Sequence, residues 1–569
     1  MVDYEVKTAY SVLLLPAFLC AVRAGNYDKV RSRVAMLQRQ FGLTAKQFDW
    51  KNFGNLTLKL IFKFASSIGM SVLPNDKLEK AISLRSKAYA FYATKEVSVC
   101  GKTKLPLSPD LTRMMAEMGD SDRLLDVWQA WHNAAGTAVK PQFIEYVKLA
   151  IESAHLDGYK NLKEAWLDEY DAANMTDVVD KLWEELEPLY KKLHCYVRMN
   201  LKQTYHGCMP PDGTIPAHIL GDMWAQEWHT LYSHLLKYGN MTDVTAGMKE
   251  QNWTAEKIYR TAEEFFTSLG LGPLTATTFW NKSIITKPED RAFECDASAW
   301  DFAIGNDYRI KACTSSAAAD LQTAHREVGH VINYMLYRPQ HVLLRRSANP
   351  AFREAVGDLI TLSVMTKSRL KALGLLAAGD YHGKSNPAEL LLLTALEKLP
   401  MLAYAYFLDK WRWSIFTGET PFDRMNEKFW EYRLKYQGVS PPIQRSEQHF
   451  DGGANIRVAT HVPYLRYFLS FVIQYQFHEH LCRSINQLDK DHPFHECDIH
   501  GKLAAGKILK EGLSLGRSKP WPDVLEIMAG TRDMSASSLK KYFAPLEKWL
   551  DERIKGEKIG WGVVDGEFA

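Results

Sequence analysis

The sequence carries almost no net charge, which excludes one large class of partners. Its 70 basic residues nearly cancel its 67 acidic residues, leaving a net charge of +3 over 569 residues. Proteins that bind nucleic acid usually present a net basic face, so no nucleic-acid partner is expected. With 46% hydrophobic and 24% charged residues, the composition is typical of a large globular protein and excludes a disordered or fibrous chain.

Long apolar runs are also scarce. The one near the start, over residues 12–22, is too short to span a bilayer. Small residues follow at 24–25, so residues 1–25 predict a secretory signal peptide, although Asp3 and Glu5 precede the run. A buried helix and a wrongly assigned start are the alternatives. No further membrane span is predicted, and residues 26–569 are expected to form one domain of two packed lobes.

Alternating, strand-like runs are few, and neither an internal repeat nor a low-complexity linker is visible. Apolar residues instead recur at three- and four-residue spacing, as in residues 124–131 and 390–399, which is helical periodicity. The best candidate for a sheet is a hairpin from Ala299 to Ile310, with its turn at Gly305. The sequence therefore predicts a mostly α fold with a minor β hairpin.

Two features favour the secretory route and an extracellular location. Cys295 and Cys313 bracket a short loop, as do Cys482 and Cys497, and short loops closed by cysteine pairs suit an oxidising compartment. Five glycosylation sequons are candidate glycan acceptors if they are exposed. They begin at Asn55, Asn174, Asn240, Asn252 and Asn281.

Residues 323–334 are helical by pattern and nearly form a zinc-peptidase helix. In such helices two histidines four residues apart bind zinc, and a glutamate after the first histidine is the general base. Glu327 precedes His330 at the required spacing, but the first ligand position is Arg326, whose guanidinium stays protonated and has no lone pair for a metal. His325 does not replace it, because five residues of regular helix turn its side chain about 140° away from His330.

A second helix is predicted from Asn349 onward. It places Glu354 at the separation from His330 where a second helix can deliver a carboxylate as third ligand. Asp358 follows one turn later, where it can orient an imidazole. Taken alone, the two segments favour an ordinary pair of amphipathic helices that carry a few charges.

Further motifs give these helices a context. The chain resembles the angiotensin-converting enzymes, peptidase family M2, which are zinc peptidyl-dipeptidases that remove C-terminal dipeptides in a deep channel between two helical lobes. The resemblance extends from about residue 45 to about residue 561 and implies this two-lobed, zincin-like helical fold. The matching segments are residues 215–226, 299–302, 327–330, 344–350, 434–438, 462–468, 534–537 and 556–561.

Carried over position by position, the resemblance implies roles for individual residues. Glu327 would be the general base, Tyr467 a donor to the transition state, and Arg326, His330 and Glu354 the zinc ligands. Gln226 and Tyr464 would bind the C-terminal carboxylate of the substrate, and Ala297 would contact the substrate through its backbone. Two chloride ions are also implied, one bound by Arg198 and Arg433 and the other by Arg466. Mutual hydrogen bonds or ion pairs between the lobes are an equally open explanation of these polar side chains.

The departures from the family pattern all fall in the active site. Arg326 replaces the first zinc histidine, and Asn455 replaces a lysine that anchors the substrate carboxylate. Asp296 and Arg457 replace two histidines near the scissile bond. Elsewhere the resemblance implies the family disulfides Cys295–Cys313 and Cys482–Cys497 and leaves Cys100 without its family partner.

These departures predict a local geometry. We expect Arg326 to occupy the vacated metal position within reach of Glu354, Glu327 or Asp358, because two carboxylates facing each other need a countercharge. We also expect an ion pair between Asp296 and Arg457 across the channel, with independent drift of the two positions as the alternative.

Three functions are compatible with the sequence. The leading hypothesis is a secreted, catalytically inactive protein that binds a peptide or protein ligand and holds no cofactor, because a two-ligand site binds zinc far more weakly than a three-ligand site. The first alternative is a residual zinc peptidyl-dipeptidase with a rebuilt or differently metallated site. The second is a structural or adhesive extracellular protein for which the channel is irrelevant.

Overall fold

The computed structural model describes residues 27–205, 207–235, 244–290, 293, 295, 297–303, 305–376, 387–489 and 492–562. The expectations for a signal peptide at residues 1–25, for Asp296 and for the sequon at Asn240 fall outside these residues. They stay predictions.

The mostly α architecture predicted from the periodicity is confirmed. The helices of the first half are α1 (Tyr27–Ala45), α2 (Leu56–Ser66), α3 (Asn75–Thr94), α4 (Thr112–Glu117), α5 (Ser121–Asp157), α6 (Leu162–Leu167), α7 (Met175–Thr204), α8 (Tyr232–Leu235), α9 (Val244–Glu250) and α10 (Ala255–Ser268).

The second half contains the helices that bear the candidate site. They are α11 (Ala318–Tyr337), α12 (Pro350–Val364), α13 (Lys367–Ala372), α14 (Pro387–Thr417), α15 (Met425–Gln437), α16 (Ile456–Ala459), α17 (Leu465–Ser484), α18 (Leu503–Ser514), α19 (Trp521–Ala529) and α20 (Ser537–Arg553).

Within the described ranges, three two-stranded sheets accompany the helices. The hairpin predicted next to the site is confirmed, and it pairs β4 with β5 in antiparallel register, Ala299 opposite Ile310. The sequence analysis missed the other two sheets. The strands of one are only two residues long, and the short alternation of Val97 and Val99 in the other was overlooked. The strands are β1 (Glu96–Val99), β2 (Lys102–Pro106), β3 (Ile215–Pro216), β4 (Ser298–Asp301), β5 (Tyr308–Lys311) and β6 (Val439–Ser440).

Both predicted disulfides form. Cys295–Cys313 joins the segments on either side of the hairpin β4–β5, and Cys482–Cys497 joins the end of α17 to the loop that follows it. Cys100 is free, as the missing family partner implies.

The hydrophobic interior is centred on α14 and α17. The stretch Leu390–Thr417 of α14 is long and apolar enough to cross a membrane, with a mean hydropathy of 1.4, but 78% of its apolar window is buried inside the fold. Such burial is typical of a core helix. A smaller cluster lies between α1, α3 and α5, around Leu73 and Leu78. The division into two lobes around a channel stays a prediction.

Two glycines let α11 and α12 pack closely at the candidate site. A Cβ atom added at Gly329 would lie 3.6 Å from the Cα atom of Gly357, and one added at Gly357 would lie 2.7 Å from Cγ of Arg326 and 3.2 Å from Cε1 of His330. A larger residue at Gly357 would therefore push the two helices apart, whereas a Cβ atom at Gly329 would make ordinary contact with α12 and be crowded by Cζ of Phe266 at 3.2 Å. The glycines set the spacing between the side chains that the two helices bring together.

We expect Gly357→Ala to lower the free energy of unfolding by about 1–2 kcal/mol, because the added methyl group overpacks the interface of α11 and α12. Chemical denaturation measures the effect. Gly247→Ala is the matched control, since Gly247 is also helical and an added Cβ there makes ordinary contact with Leu375 at 3.4 Å. Equal stability of the two variants would contradict the proposed role of Gly357.

Candidate active site

Two helices with well-defined starts carry the candidate site. The side chain of Asn349 caps α12 by accepting hydrogen bonds from the backbone nitrogens of Ala351 and Phe352, and Pro350 occupies the first turn. The carboxylate of Asp320 accepts a hydrogen bond from the nitrogen of Ala317 at the start of α11. These caps fix where each helix begins, and therefore which side chains face the other helix.

The guanidinium of Arg326 lies among three carboxylates, as the sequence predicts. Its Nη1 donates to Oε1 of Glu327 at 3.0 Å, and its Nη2 donates to Oε2 of Glu354 at 2.8 Å. Its Nε lies 3.5 Å from Oδ1 of Asp358. The side chain of Arg326 is 33% exposed, whereas the residues Glu327, Glu354 and Asp358 are buried. One cation therefore neutralises a group of acids that would otherwise repel one another.

The carboxylates respond differently to this environment. Burial by itself raises the pKa of Glu354, but the charges of Arg326 and Arg353 lower it to about 2. For Glu327, burial outweighs the opposing charge of Arg326, and the pKa is raised. Glu354 is therefore the ionised partner of Arg326, whereas the pKa of Glu327 shifts in the opposite direction.

His330 faces the same group from the next turn of α11. Burial and the charge of Arg326 lower the pKa of its imidazole to about 3, so the ring is neutral. Its Nδ1 is buried and makes no hydrogen bond to a described residue. Asp358, predicted to orient an imidazole, instead lies beside Nε of Arg326.

His325 points away from the site, as predicted for a regular helix. Its Nδ1 contacts the carbonyl of Leu321 at 2.7 Å, and its ring meets Phe265 edge-on with the centroids 5.7 Å apart. The helix α11 is α-helical throughout, so no local bulge brings His325 toward His330.

The sequence analysis missed charged residues on α14 and in the segment after β3. Lys398 contacts Glu397 at 2.8 Å and lies 3.8 Å from Asp358. Burial and the charges of Glu397 and Asp222 raise the pKa of Glu227 to about 8, although solvent reaches 36% of its side chain. The signal for Lys398 was a charged pair within the apolar run of α14.

The residues predicted to hold a substrate carboxylate do come together. Asn455 Nδ2 donates to the hydroxyl of Tyr464 at 3.0 Å, and that hydroxyl lies 3.5 Å from Oε1 of Gln226. All three side chains are neutral. They satisfy one another, which favours the structural explanation, and they offer a carboxylate no positive charge.

Other predicted contacts are close to the same centre. Tyr467 is among the groups around Arg326 that raise its pKa. The guanidinium of Arg457 lies over the Tyr467 ring, 5.3 Å from its centroid. Ala297 directly precedes β4. The ion pair of Arg457 with Asp296 stays a prediction, because Asp296 lies outside the described residues.

The arginines assigned to chloride have other bonds. Arg198 donates to the carbonyls of Gly213 and Gly560 at 2.9 and 2.6 Å, whereas Arg433 donates to Oε1 of Gln437 and to the carbonyl of Trp224. No contact among the described residues joins Arg198 to Arg433, so the structure lends no support to a chloride shared by these two arginines. The positive charge of Arg466 helps to lower the pKa of Glu354. Chloride binding stays a prediction.

The donor set does not fit a catalytic zinc ion. Such sites use three protein ligands, and here only His330 and Glu354 offer lone pairs at the expected positions. The guanidinium of Arg326 has none, and its Nη2 already holds Glu354 Oε2 at 2.8 Å. A metal entering between these residues would have to displace a cation that two carboxylates bind directly.

The paired helices, with their Glu-x-x-His sequence and the downstream glutamate, define the class as a zinc-metallopeptidase fold with an altered first ligand. The family model described as angiotensin-converting enzyme matches residues 20–561. The chain belongs to the angiotensin-converting enzyme family.

Individual relatives agree with this assignment. The angiotensin-converting enzyme of Mesocricetus auratus is 41% identical over 535 residues, which is 93% of this chain but 40% of that protein. The enzyme of Theromyzon tessulatum is 38% identical over 89% of this chain and 83% of its own length. The angiotensin-converting enzyme-like protein Ace3 of Mus musculus is 38% identical over 92% of this chain and 71% of its own length. The chain thus spans about 40% of the length of the mammalian enzymes it matches.

We expect Arg326→Leu to lower the free energy of unfolding by about 2 kcal/mol, because Glu354 would keep a charge in the cleft without a partner. The partial exposure of Arg326 keeps the loss below that of a fully buried pair. Denaturation in the presence of a chelator measures it, so that no metal can take the place of the guanidinium.

The double variant Arg326→Leu with Glu354→Gln is the control for this effect. The double variant should recover most of the lost free energy of unfolding, because it removes the charge of Glu354 together with that of Arg326. Additive losses in the two single variants, or an unchanged melting temperature of Arg326→Leu, would show that the ion pair does not stabilise the fold.

Proposed function

We propose that this chain is a secreted, non-hydrolytic member of its family that holds a peptide or a protein segment in its cleft. The observation that supports this function is the position of Arg326, which bonds Glu327 and Glu354 where the family's peptidases would hold a metal. The identity with relatives that are enzymes supports the fold and the cleft, not the chemistry.

Hydrolysis by this family needs an activated water. A metal lowers the pKa of bound water to about 7, and without that ion a carboxylate has no activated nucleophile to deprotonate. In this chain Glu327 is also bonded to Arg326 and has a raised pKa. Both the metal position and the base are therefore engaged in an ion-pair network.

The backbone near the site favours an extended peptide as ligand. On one side β4 pairs with β5, and β5 in turn contacts Ile284. The other edge of β4 has no strand partner among the described residues, and Ser298–Asp301 line an open cavity. An exposed strand edge offers unpaired backbone groups to which a peptide can add as a further strand.

Secretion is supported by the covalent features. The two disulfides require an oxidising compartment to form and persist. Four of the predicted glycan acceptors are described, and all four are exposed; they are Asn55, Asn174, Asn252 and Asn281.

Residual peptidyl-dipeptidase activity is the second candidate. It is favoured by the retention of Glu327, His330, Glu354 and Tyr467 at the family positions. In that case a metal would have to bind through His330 and Glu354 while Arg326 swings aside. Metal content separates the two functions.

The purified protein should hold well below one zinc per chain and should release no dipeptide from C-terminally free peptides. The measurement is elemental analysis combined with mass spectrometry of the products, with and without chelator. One tightly held zinc ion per chain with chelator-sensitive dipeptide release would establish the second function instead.

Restoring the first ligand should restore the metal. We expect Arg326→His to bind about one zinc per chain, because three ligands would then face each other across helices whose spacing is already fixed. Arg326→Gln is the matched control and should stay free of zinc. Absence of zinc from Arg326→His, with an unchanged melting temperature, would mean that more than the ligand has been lost.

A further inference from the structure

A cavity of about 680 Å³ opens beside the candidate site. One wall is the free edge of β4, and another is formed by α11 and the start of α12, with Tyr334 and Arg353. The loop between these two helices, α2, the segment after α6, Arg466 of α17 and the segment leading into α19 also line it. A cavity of this size accommodates a few residues of a peptide.

Positive charge dominates its lining. Seven basic residues face it against four acidic ones, an excess of three positive charges. The basic residues are Lys63, Arg345, Arg346, Arg353, Arg466, Arg517 and Lys519, and the acidic residues are Asp168, Glu169, Asp171 and Asp301. In a concave site of low dielectric, such an excess concentrates its field on whatever enters.

Part of this charge is not used by the fold. Lys63 is paired with Asp171. In contrast, Arg346, Arg353 and Lys519 are exposed, and none of them lies within ion-pair distance of a carboxylate among the described residues. Arg353 also helps to keep Glu354 ionised, but none of the three cations is held in a direct ion pair, so their N–H groups are available for a ligand.

We propose that this cavity selects peptides with acidic side chains, whose carboxylates bind Arg346 and Arg353. The proposal rests on the proposed function, because it specifies the ligand of the same cleft. Arginine suits this role, since its planar guanidinium bonds a carboxylate through two parallel N–H groups. Tyr334 lies under the Arg353 guanidinium, 5.6 Å from its centre, and helps to hold it in place.

The acidic residues of the lining favour a short peptide over a long polyanion. Asp168 and Glu169 are both exposed at the cavity. A polymer that is negative along its whole length would meet these carboxylates, and like charges in contact disfavour binding. A peptide whose carboxylates are confined to a short stretch can place them on the arginines alone.

The test uses the full chain and two blocked hexapeptides, Ac-Ala-Ala-Glu-Glu-Ala-Ala-amide and its counterpart with glutamine in place of both glutamates. Isothermal titration calorimetry measures binding. We expect the acidic peptide to bind at least about tenfold more tightly than the neutral one, and the preference to shrink as salt is raised.

Substitutions locate the effect. Arg346→Gln and Arg353→Gln should each weaken binding of the acidic peptide about fivefold, the amount expected of one exposed ion pair. Arg346→Glu should abolish the preference. Lys507→Gln is the matched control, because Lys507 is 77% exposed on α18, outside the cavity, and its loss should change nothing. Because the three tested side chains are exposed, the variants should fold as the parent does.

Each outcome decides one claim. If both peptides bind with equal affinity, or if the preference persists in both arginine variants, the proposed acidic selectivity is wrong. The protein would then still bind peptides. Tighter binding of a heparin tetrasaccharide with the same arginine dependence overturns the choice of a peptide. If neither hexapeptide binds, the selectivity fails; the zinc and dipeptide measurements then decide separately whether the non-hydrolytic function fails as well.

Discussion

The arrangement of this site depends on the ion pairs of Arg326. Helices α11 and α12 each deliver carboxylates to the same point, and buried carboxylates without a countercharge raise one another's pKa and destabilise the fold. A divalent metal is one solution to that problem, and a guanidinium is another. With Nη1 on Glu327 and Nη2 on Glu354, the arginine satisfies two acids at once.

This arrangement preserves the scaffold, and in the proposed function it takes the place of the metal. The guanidinium is a permanent cation with donors only, so it can hold the carboxylates in place but cannot polarise a carbonyl or activate water. The glycines at 329 and 357 still set the helix spacing, and Asn349 still caps α12. The helix spacing and the cap around the site are therefore kept with an arginine in the first ligand position.

Much of this was predictable from the sequence, for identifiable reasons. Helical periodicity, the hairpin and the disulfides depend on local patterns. The contacts of Arg326 followed from counting charges at the spacing of a known helix pair. Lys398 and Glu227 were missed because they approach the site from elements far away in sequence, and no local pattern encodes that approach. The bonds of Arg198 and Arg433 to backbone carbonyls of other segments were missed for the same reason.

The positive charge of the cleft is distributed differently from that expected of the family's peptidases. At Asn455, where the family pattern has a lysine for the substrate's terminal carboxylate, the side chain is neutral and bonded to Tyr464. The unpaired cations lie instead at Arg346 and Arg353, in the cavity beside β4. A ligand held by charge in this chain would therefore be held through acidic side chains along its length and not by its C-terminus. Recognition of that kind does not require release of a dipeptide, which agrees with the proposed non-hydrolytic function.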